Sequence, residues 1–373
     1  MSMMGMRAAR RSAALVALLL AVGVVVAAAL VDIRELAAAF LVAYAAAVSV
    51  VLGVLAMTLI AHLTTATWFR PFRSRAQLVL TSLPALALVG VLLLLALPVL
   101  YPWFGTANPA HVYLNAPFFI ARWVIYWAVW IGIEASLRRA RDVEQSGDVE
   151  EANRRFRRAA SVGLPLLALT MTFAAFDWLM SLTPNWQSSI YGVYWFAGGM
   201  VAALGLLAVL VRLIGAPTAE PSPDDVHSLG KLMLTFILFW VYIGFSQYIV
   251  MWSGDLPREV TWYADRASGG WGLVAGLLIF GNFVFPALLL LIRSVKRSVA
   301  MLTLIGAALL ALHCIDSFWI VMPGLVPVRW WTVLVTIANL GLLSAAAVAP
   351  MRLRRRGVPA RTLPPKHLGG QPG

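Results

Sequence analysis

The sequence has a single cysteine, Cys314, and only five histidines in 373 residues. One cysteine excludes a disulfide framework within the chain and a cysteine-held iron–sulfur cluster, and no C-x-x-C-H haem attachment occurs. Charge is the second shortage. Only 12% of residues are Asp, Glu, Lys or Arg, against about 25% in soluble domains. A soluble fold of this length would lack the polar surface to face water. What fills the chain is apolar: 61% of residues, with a mean hydropathy of +0.84. Its solvent is therefore expected to be lipid.

A bilayer core needs about 20 apolar residues per helix. Ten stretches qualify, at roughly 13–31, 36–62, 78–100, 116–137, 160–183, 188–214, 230–253, 270–292, 299–322 and 330–350. Continuous apolar runs with Gly and Ala throughout favour helices over a barrel, whose strands would alternate. The expected fold class is an all-α integral membrane protein.

The net charge of +13 is a matter of topology. Basic residues collect at the N-terminus (Arg7, Arg10, Arg11) and in every second connection, from Arg70–Arg75 through Arg138–Arg158 to Arg293–Arg297. The tail adds six more, from Arg352 to Lys366. Only Arg34, Arg258, Arg266 and Arg329 fall on the other side, and Arg122 lies inside a span. By the positive-inside rule both termini are cytoplasmic. The basic residues fix topology and attract anionic lipid, so no nucleic-acid partner is needed.

The expected organisation is a basic N-terminus over 1–12, a polytopic domain over 13–350 and a disordered basic tail over 351–373. The first span has a second reading, as a signal peptide. The polar loop "RRARDVEQSGDVEEANRRFRRA" has Glu150–Arg154 and Glu151–Arg155 at i,i+4 and predicts a short cytoplasmic helix.

A charge inside a bilayer costs on the order of 3 kcal/mol or more, so it is usually paired or functional. Asp177, Asp316 and Arg122 each fall six residues from the outer end of their span. At 1.5 Å per residue all three lie roughly 9 Å below the outer boundary. His313 precedes Asp316 by three, and Tyr126 follows Arg122 by four, each pair on one helix face. Gln247 and Tyr248 sit at a similar depth. Two acids, a base and a titratable histidine in one layer suggest proton handling. An Arg–Asp pair that only pins helices is the plainer reading.

A second set lies at the inner side, where His62 ends one span and Glu134 nears the end of another. The plainer reading is two polar residues facing headgroups. Asn282 and Asn339 sit between the layers, which suggests two half-channels. His62 and His313 lie at different depths and cannot share a haem iron. No redox centre is expected in the chain, and no metal site.

"DWLMSLTP" (177–184) and "DSFWIVMP" (316–323) each carry Asp, six residues, then Pro. Their spans are four apart. This suggests two four-helix units, spans 2–5 (36–183) and 6–9 (188–322), with flanking spans at 13–35 and 330–350.

"FAAFDWLMSLTPNWQSSIYGVYWFAGG" (173–199), "YLNAPFFIARW" (113–123), "FWVYIGFSQYIVMW" (239–252) followed by "LPREVTWY", and "LHCIDSFWIVMP" (312–323) together resemble a known family. It is the ActF-type membrane subunit of alternative complex III, a bacterial quinol:cytochrome c (or quinol:oxidase) oxidoreductase. The resemblance covers roughly residues 40 to 325. It implies a fold like the polysulfide-reductase (NrfD-like) membrane subunit, with two four-helix bundles and flanking helices.

It also implies a multi-pass place in the bacterial inner membrane. The implied partners are a sister NrfD-like membrane subunit, a haem c subunit, an iron–sulfur subunit and a terminal oxidase. Those partners would carry haem c and iron–sulfur clusters, and this chain would be non-catalytic alone. The implied role is a proton pathway through Asp177, His313, Asp316 and Arg122, to which depth adds Tyr126, Glu134 and His62. A menaquinone or ubiquinone site would use Gln247, Tyr248 and His313. In "SLTPNW", Thr183 and Asn185 stand where relatives often have Glu and His, which leaves any role for that outer mouth in doubt.

Two other classes compete with this reading. One is a secondary transporter with four-helix repeats, which Pro165 and Pro286 disfavour because they do not match between halves. The other is a structural scaffold. Trp103, Trp186, Trp252, Trp262, Trp271, Trp330 and Trp331 at the outer side would form either an aromatic belt or a docking surface.

Overall fold

The computed structural model describes residues 32–105, 112–214 and 220–356, with side chains described to 344. The expected first span at 13–31, the basic N-terminus and the end of the tail lie outside the described residues. Among the described residues the protein is all-α, with no strand. Among the described residues eight helices are long and apolar enough to cross a membrane, which makes this a multi-pass membrane protein. They match the expected second to ninth spans.

The first, α1 (Ile33–Leu63), begins where Asp32 accepts a hydrogen bond from the Arg34 backbone N–H. The next span is broken into α2 (Arg70–Leu80), α3 (Leu83–Leu95) and α4 (Leu97–Leu100). Pro84 and Pro98 each open a segment, because proline lacks an N–H and clashes with the preceding turn. Helix α5 (Ala116–Ser146) is capped by Asn115, and α6 (Val149–Trp178) by Asp148.

Between these two helices the expected cytoplasmic helix is not a separate element. Both helices run through the polar segment and meet at Gly147, whose φ of +102° ends α5. The two expected ion pairs form on the first turns of α6, at 2.8 Å for Glu150–Arg154 and 2.7 Å for Glu151–Arg155.

The second half holds α7 (Tyr191–Leu213) and α8 (Pro223–Gly254), the latter opened by a Ser222–Asp225 capping box. The motif "LPREVTWY", between the expected spans 230–253 and 270–292, opens an amphipathic helix, α9 (Pro257–Ala267). Next come α10 (Trp271–Leu278), one π-helical stretch (Ile279–Val284) and α11 (Phe285–Leu291). The π-turn sits just before Pro286, where a regular ladder would lose a bond. The last three described helices are α12 (Arg293–Arg297), α13 (Val299–Val321) and α14 (Trp330–Arg356).

Helices α1 and α7 form the centre. Helix α1 packs on α6, α7, α13 and α14, and α7 on α1, α6, α8 and α13. Small residues allow this crowding. A Cβ on Gly199 would lie 2.6 Å from the Ser49 carbonyl oxygen, and one on Gly306 would lie 2.6 Å from that of Gly205. Backbone therefore meets backbone between α1 and α7 and between α7 and α13, the mode by which membrane helices associate closely. That approach brings Ser49 of α1 within reach of His313 of α13.

At the N-terminal ends of both helices α14 is tied to α1. Glu35, 4% exposed, accepts from Trp331 Nε1 at 3.1 Å and from the Thr332 hydroxyl at 3.3 Å. Three of the tryptophans expected in a belt or docking surface are buried instead: Trp103, Trp186 and Trp262. Helix α9 covers the bundle there, and Trp262 stacks on Trp186 at 4.4 Å. Trp252 and Trp330 are exposed.

Candidate functional site

The residues expected in one outer layer form two separate centres. In the first, Arg122 near the start of α5 meets Asp177 near the end of α6. Nε donates to Oδ2 at 2.7 Å and Nη2 to Oδ1 at 2.9 Å, a fork-to-fork pair. Tyr126, one turn further along α5, donates its hydroxyl to Asp177 Oδ2 at 2.6 Å. Arg122 Nη1 donates to the Tyr113 carbonyl at 3.0 Å, and the guanidinium lies over the Tyr113 and Phe118 rings at 3.9 and 4.3 Å. The carboxylate is 1% exposed and every oxygen has a partner. One negative charge is thus balanced by one positive charge, clamped from both sides.

The second centre holds a carboxyl without a cation. Asp316 of α13 is 2% exposed, and Tyr194 of α7 donates to its Oδ1 at 2.7 Å. No Lys, Arg or His lies within ion-pair distance of it among the described residues. His313, one turn earlier, shares its face as expected: both side chains border Gly198, the His313 ring 3.3 Å and Asp316 Oδ2 3.5 Å from a Cβ placed there. Yet His313 Nε2 pairs with Ser49 Oγ at 2.8 Å, not with Asp316. Ser49 Oγ in turn is 3.0 Å from the Ala46 carbonyl. The two centres are linked by aromatic packing: Trp178, next to Asp177, meets Trp195, next to Tyr194, with ring centroids 6.0 Å apart.

The inner residues expected together are held by different partners. Glu134 is buried and takes Arg138 and, at 3.2 Å, Arg141. His62 stacks on Phe156 at 4.1 Å. Asn282 Oδ1 and Asn339 Nδ2, expected between the layers, are buried without a hydrogen-bond partner among the described residues.

Outside the second centre lies a cavity of about 800 Å³, bounded by α8, α9, α10, the π-turn and Trp319 of α13. Gln247 and Tyr248 line it, while His313 does not. Gln247 is fixed by Ser188, which donates to Oε1 at 2.9 Å, and by Tyr263, which accepts from Nε2 at 3.1 Å. Three lining residues carry more weight than sequence reading gave them: Tyr194, Tyr263 and Arg266.

Arg266 counts as an outer-loop arginine by sequence, but it is 4% exposed. It lies over the Trp262 ring at 3.5 Å, and Nη1 donates to the Trp262 carbonyl at 2.9 Å. A second bond runs from Nη2 to the Ile320 carbonyl, joining α9 to α13. Burial pushes its guanidinium down to about 10, so it stays charged at neutral pH. The i,i+4 spacing of Trp262 and Arg266 was the available signal for this buried face.

Among the described residues no three His, Cys, Asp or Glu side chains gather as a metal cage. No protein-family model and no curated protein matches the chain.

Proposed function

We propose that this chain is a proton-handling, multi-pass membrane subunit of a quinol-oxidising respiratory complex, in which Asp316 exchanges the proton and Asp177 is a fixed anion. The carrying observation is the contrast between two equally buried carboxyl groups. Asp177 has a guanidinium on both oxygens and a tyrosine besides. Taking up a proton would leave Arg122 as an unbalanced buried charge, which is costly. Asp316 has a neutral tyrosine and no cation, so gaining or losing a proton there disrupts no ion pair.

His313 and Ser49 continue a polar line from the Asp316 neighbourhood across to α1. On this reading the helices' basic ends face the cytoplasm, the two centres lie toward the outer side, and the membrane is the bacterial inner membrane. Electrons pass through haem c and iron–sulfur partners that dock against the chain beside a sister membrane subunit.

The test compares Asp316→Asn with Asp177→Asn in the assembled complex. Asp316→Asn is expected to abolish or sharply reduce quinol-driven proton release while the complex still assembles. Asp177→Asn is expected to act on assembly and stability. Unchanged proton release in assembled Asp316→Asn complex would reduce both residues to structural roles.

A further inference from the structure

Where α8 begins and α11 ends, cations outnumber anions on two packed helices. Extended backbone at Ile292 and at Ser298 sets α12 apart as a short link between the spans α11 and α13. Arg297 of that link pairs with Asp224 of α8 at 2.8 Å. Nearly two turns further along α8, a Cβ on Gly230 would lie 3.0 Å from Lys296 Cγ and 3.3 Å from its Cα. The missing side chain lets the link settle on α8 at a second point. Cations then crowd one place: Lys231, Arg293, Lys296 and Arg297 all act electrostatically on His227 of α8.

Among these, only Arg297 has a counter-ion. No carboxylate lies within ion-pair distance of Lys231, Arg293 or Lys296 among the described residues. The basic start of α6 differs, because it carries its own acids, Glu150 and Glu151. Like charges gathered by folding repel one another until an anion joins them. The link therefore has the charge of a binding site and lacks the anion.

The neighbouring groups pick the class of anion. Leu288, Leu291 and Ile292 come just before Arg293 and are exposed, the two leucines within a membrane-spanning stretch. Apolar and cationic contacts thus adjoin in the order of acyl chain and head, as in basic pockets that hold anionic lipid. Free phosphate would leave the leucines unused, and an acidic segment of a soluble protein could not reach them. A zwitterionic head would bring another cation among three unpaired ones. Three cations also exceed what one phosphate diester can balance.

We propose that Lys231, Arg293 and Lys296 bind the head of an anionic phospholipid carrying two phosphates, its acyl chains lying on Leu288, Leu291 and Ile292. The lipid clasps α8 to the link between α11 and α13. No bond is made or broken, and the site is independent of the roles of Asp316 and Asp177.

The probe is tetraoleoyl cardiolipin, titrated into the purified full chain in detergent and counted by native mass spectrometry. Saturable binding of a single lipid is expected, tighter than that of dioleoyl phosphatidylglycerol and far tighter than that of dioleoyl phosphatidylcholine. Lys231→Gln/Lys296→Gln should weaken it about 30-fold. Arg293→Gln, one exposed residue, should weaken it about fivefold and carries the test if the double variant does not fold. Arg157→Gln/Arg158→Gln, which removes two exposed arginines of α6, should change affinity by less than about twofold, because screened charge elsewhere does not build the site. Excess pyrophosphate should leave the lipid in place.

Equal losses in the two double variants, or no loss in Arg293→Gln, would mean bulk attraction to a basic surface and overturn the site. Displacement by pyrophosphate would make it an anion site without a lipid, and equal affinity for phosphatidylcholine would remove the role of charge. Either result overturns the proposal.

Discussion

Tyr194 and Asp316, on neighbouring helices, are joined by a 2.7 Å hydrogen bond that connects a cavity wall to a buried carboxyl group. The bond exists because α7 and α13 touch at Gly205 and Gly306, where no side chain separates the backbones. Helix α7 thus serves one placement: its glycines bring α1 and α13 close, and its aromatic N-terminal end supplies the hydroxyl.

Breaking the other centre should cost stability. Arg122→Gln leaves Asp177 as an unpaired buried anion, and removing one partner of a buried pair typically costs about 3–5 kcal/mol. The doubly apolar Arg122→Met/Asp177→Leu chain should recover most of that loss. Thermal unfolding in detergent reads both. A single variant as stable as the native chain would show that the pair is not what holds α5 to α6.

The glycine crossing gives an independent prediction. In Gly306→Val a side chain meets the Gly205 carbonyl, 2.6 Å from the new Cβ. Neither backbone can move cheaply, so a loss of about 1–3 kcal/mol is expected, as in other overpacked interiors. The same variant should weaken proton release, because α13 carries His313 and Asp316. Gly276→Val, at a position where a Cβ meets nothing, is the control and should be neutral. Equal behaviour of the two variants would contradict the account.

The sequence reveals the helices and the costly groups, and for a physical reason: lipid punishes every unsatisfied backbone and every bare charge. Arg122, Tyr126 and Asp177 are legible as a set because their spacing and depth match, and they do meet. The split into two centres is not legible. Depth says which residues share a level, whereas helix rotation and neighbour order decide who touches whom. Tyr194 is therefore missed among the aromatics of "YGVYWFAGG", and Ser49 within a run of alanines and valines. Arg266 is missed because a charged residue beyond a span reads as loop, while the short helix α9 folds it inward over Trp262. The broken third span was readable from Pro84 and Pro98.

The central claim is that Asp316 changes protonation and Asp177 does not. Infrared difference spectroscopy of the purified chain across a pH titration reports this directly, through the C=O stretch of a protonated carboxyl group in an apolar site. The account predicts one such band that titrates, vanishes in Asp316→Asn, shifts but persists in Asp316→Glu, and is untouched in Tyr126→Phe. A band that survives Asp316→Asn and is lost in Asp177→Asn would contradict it.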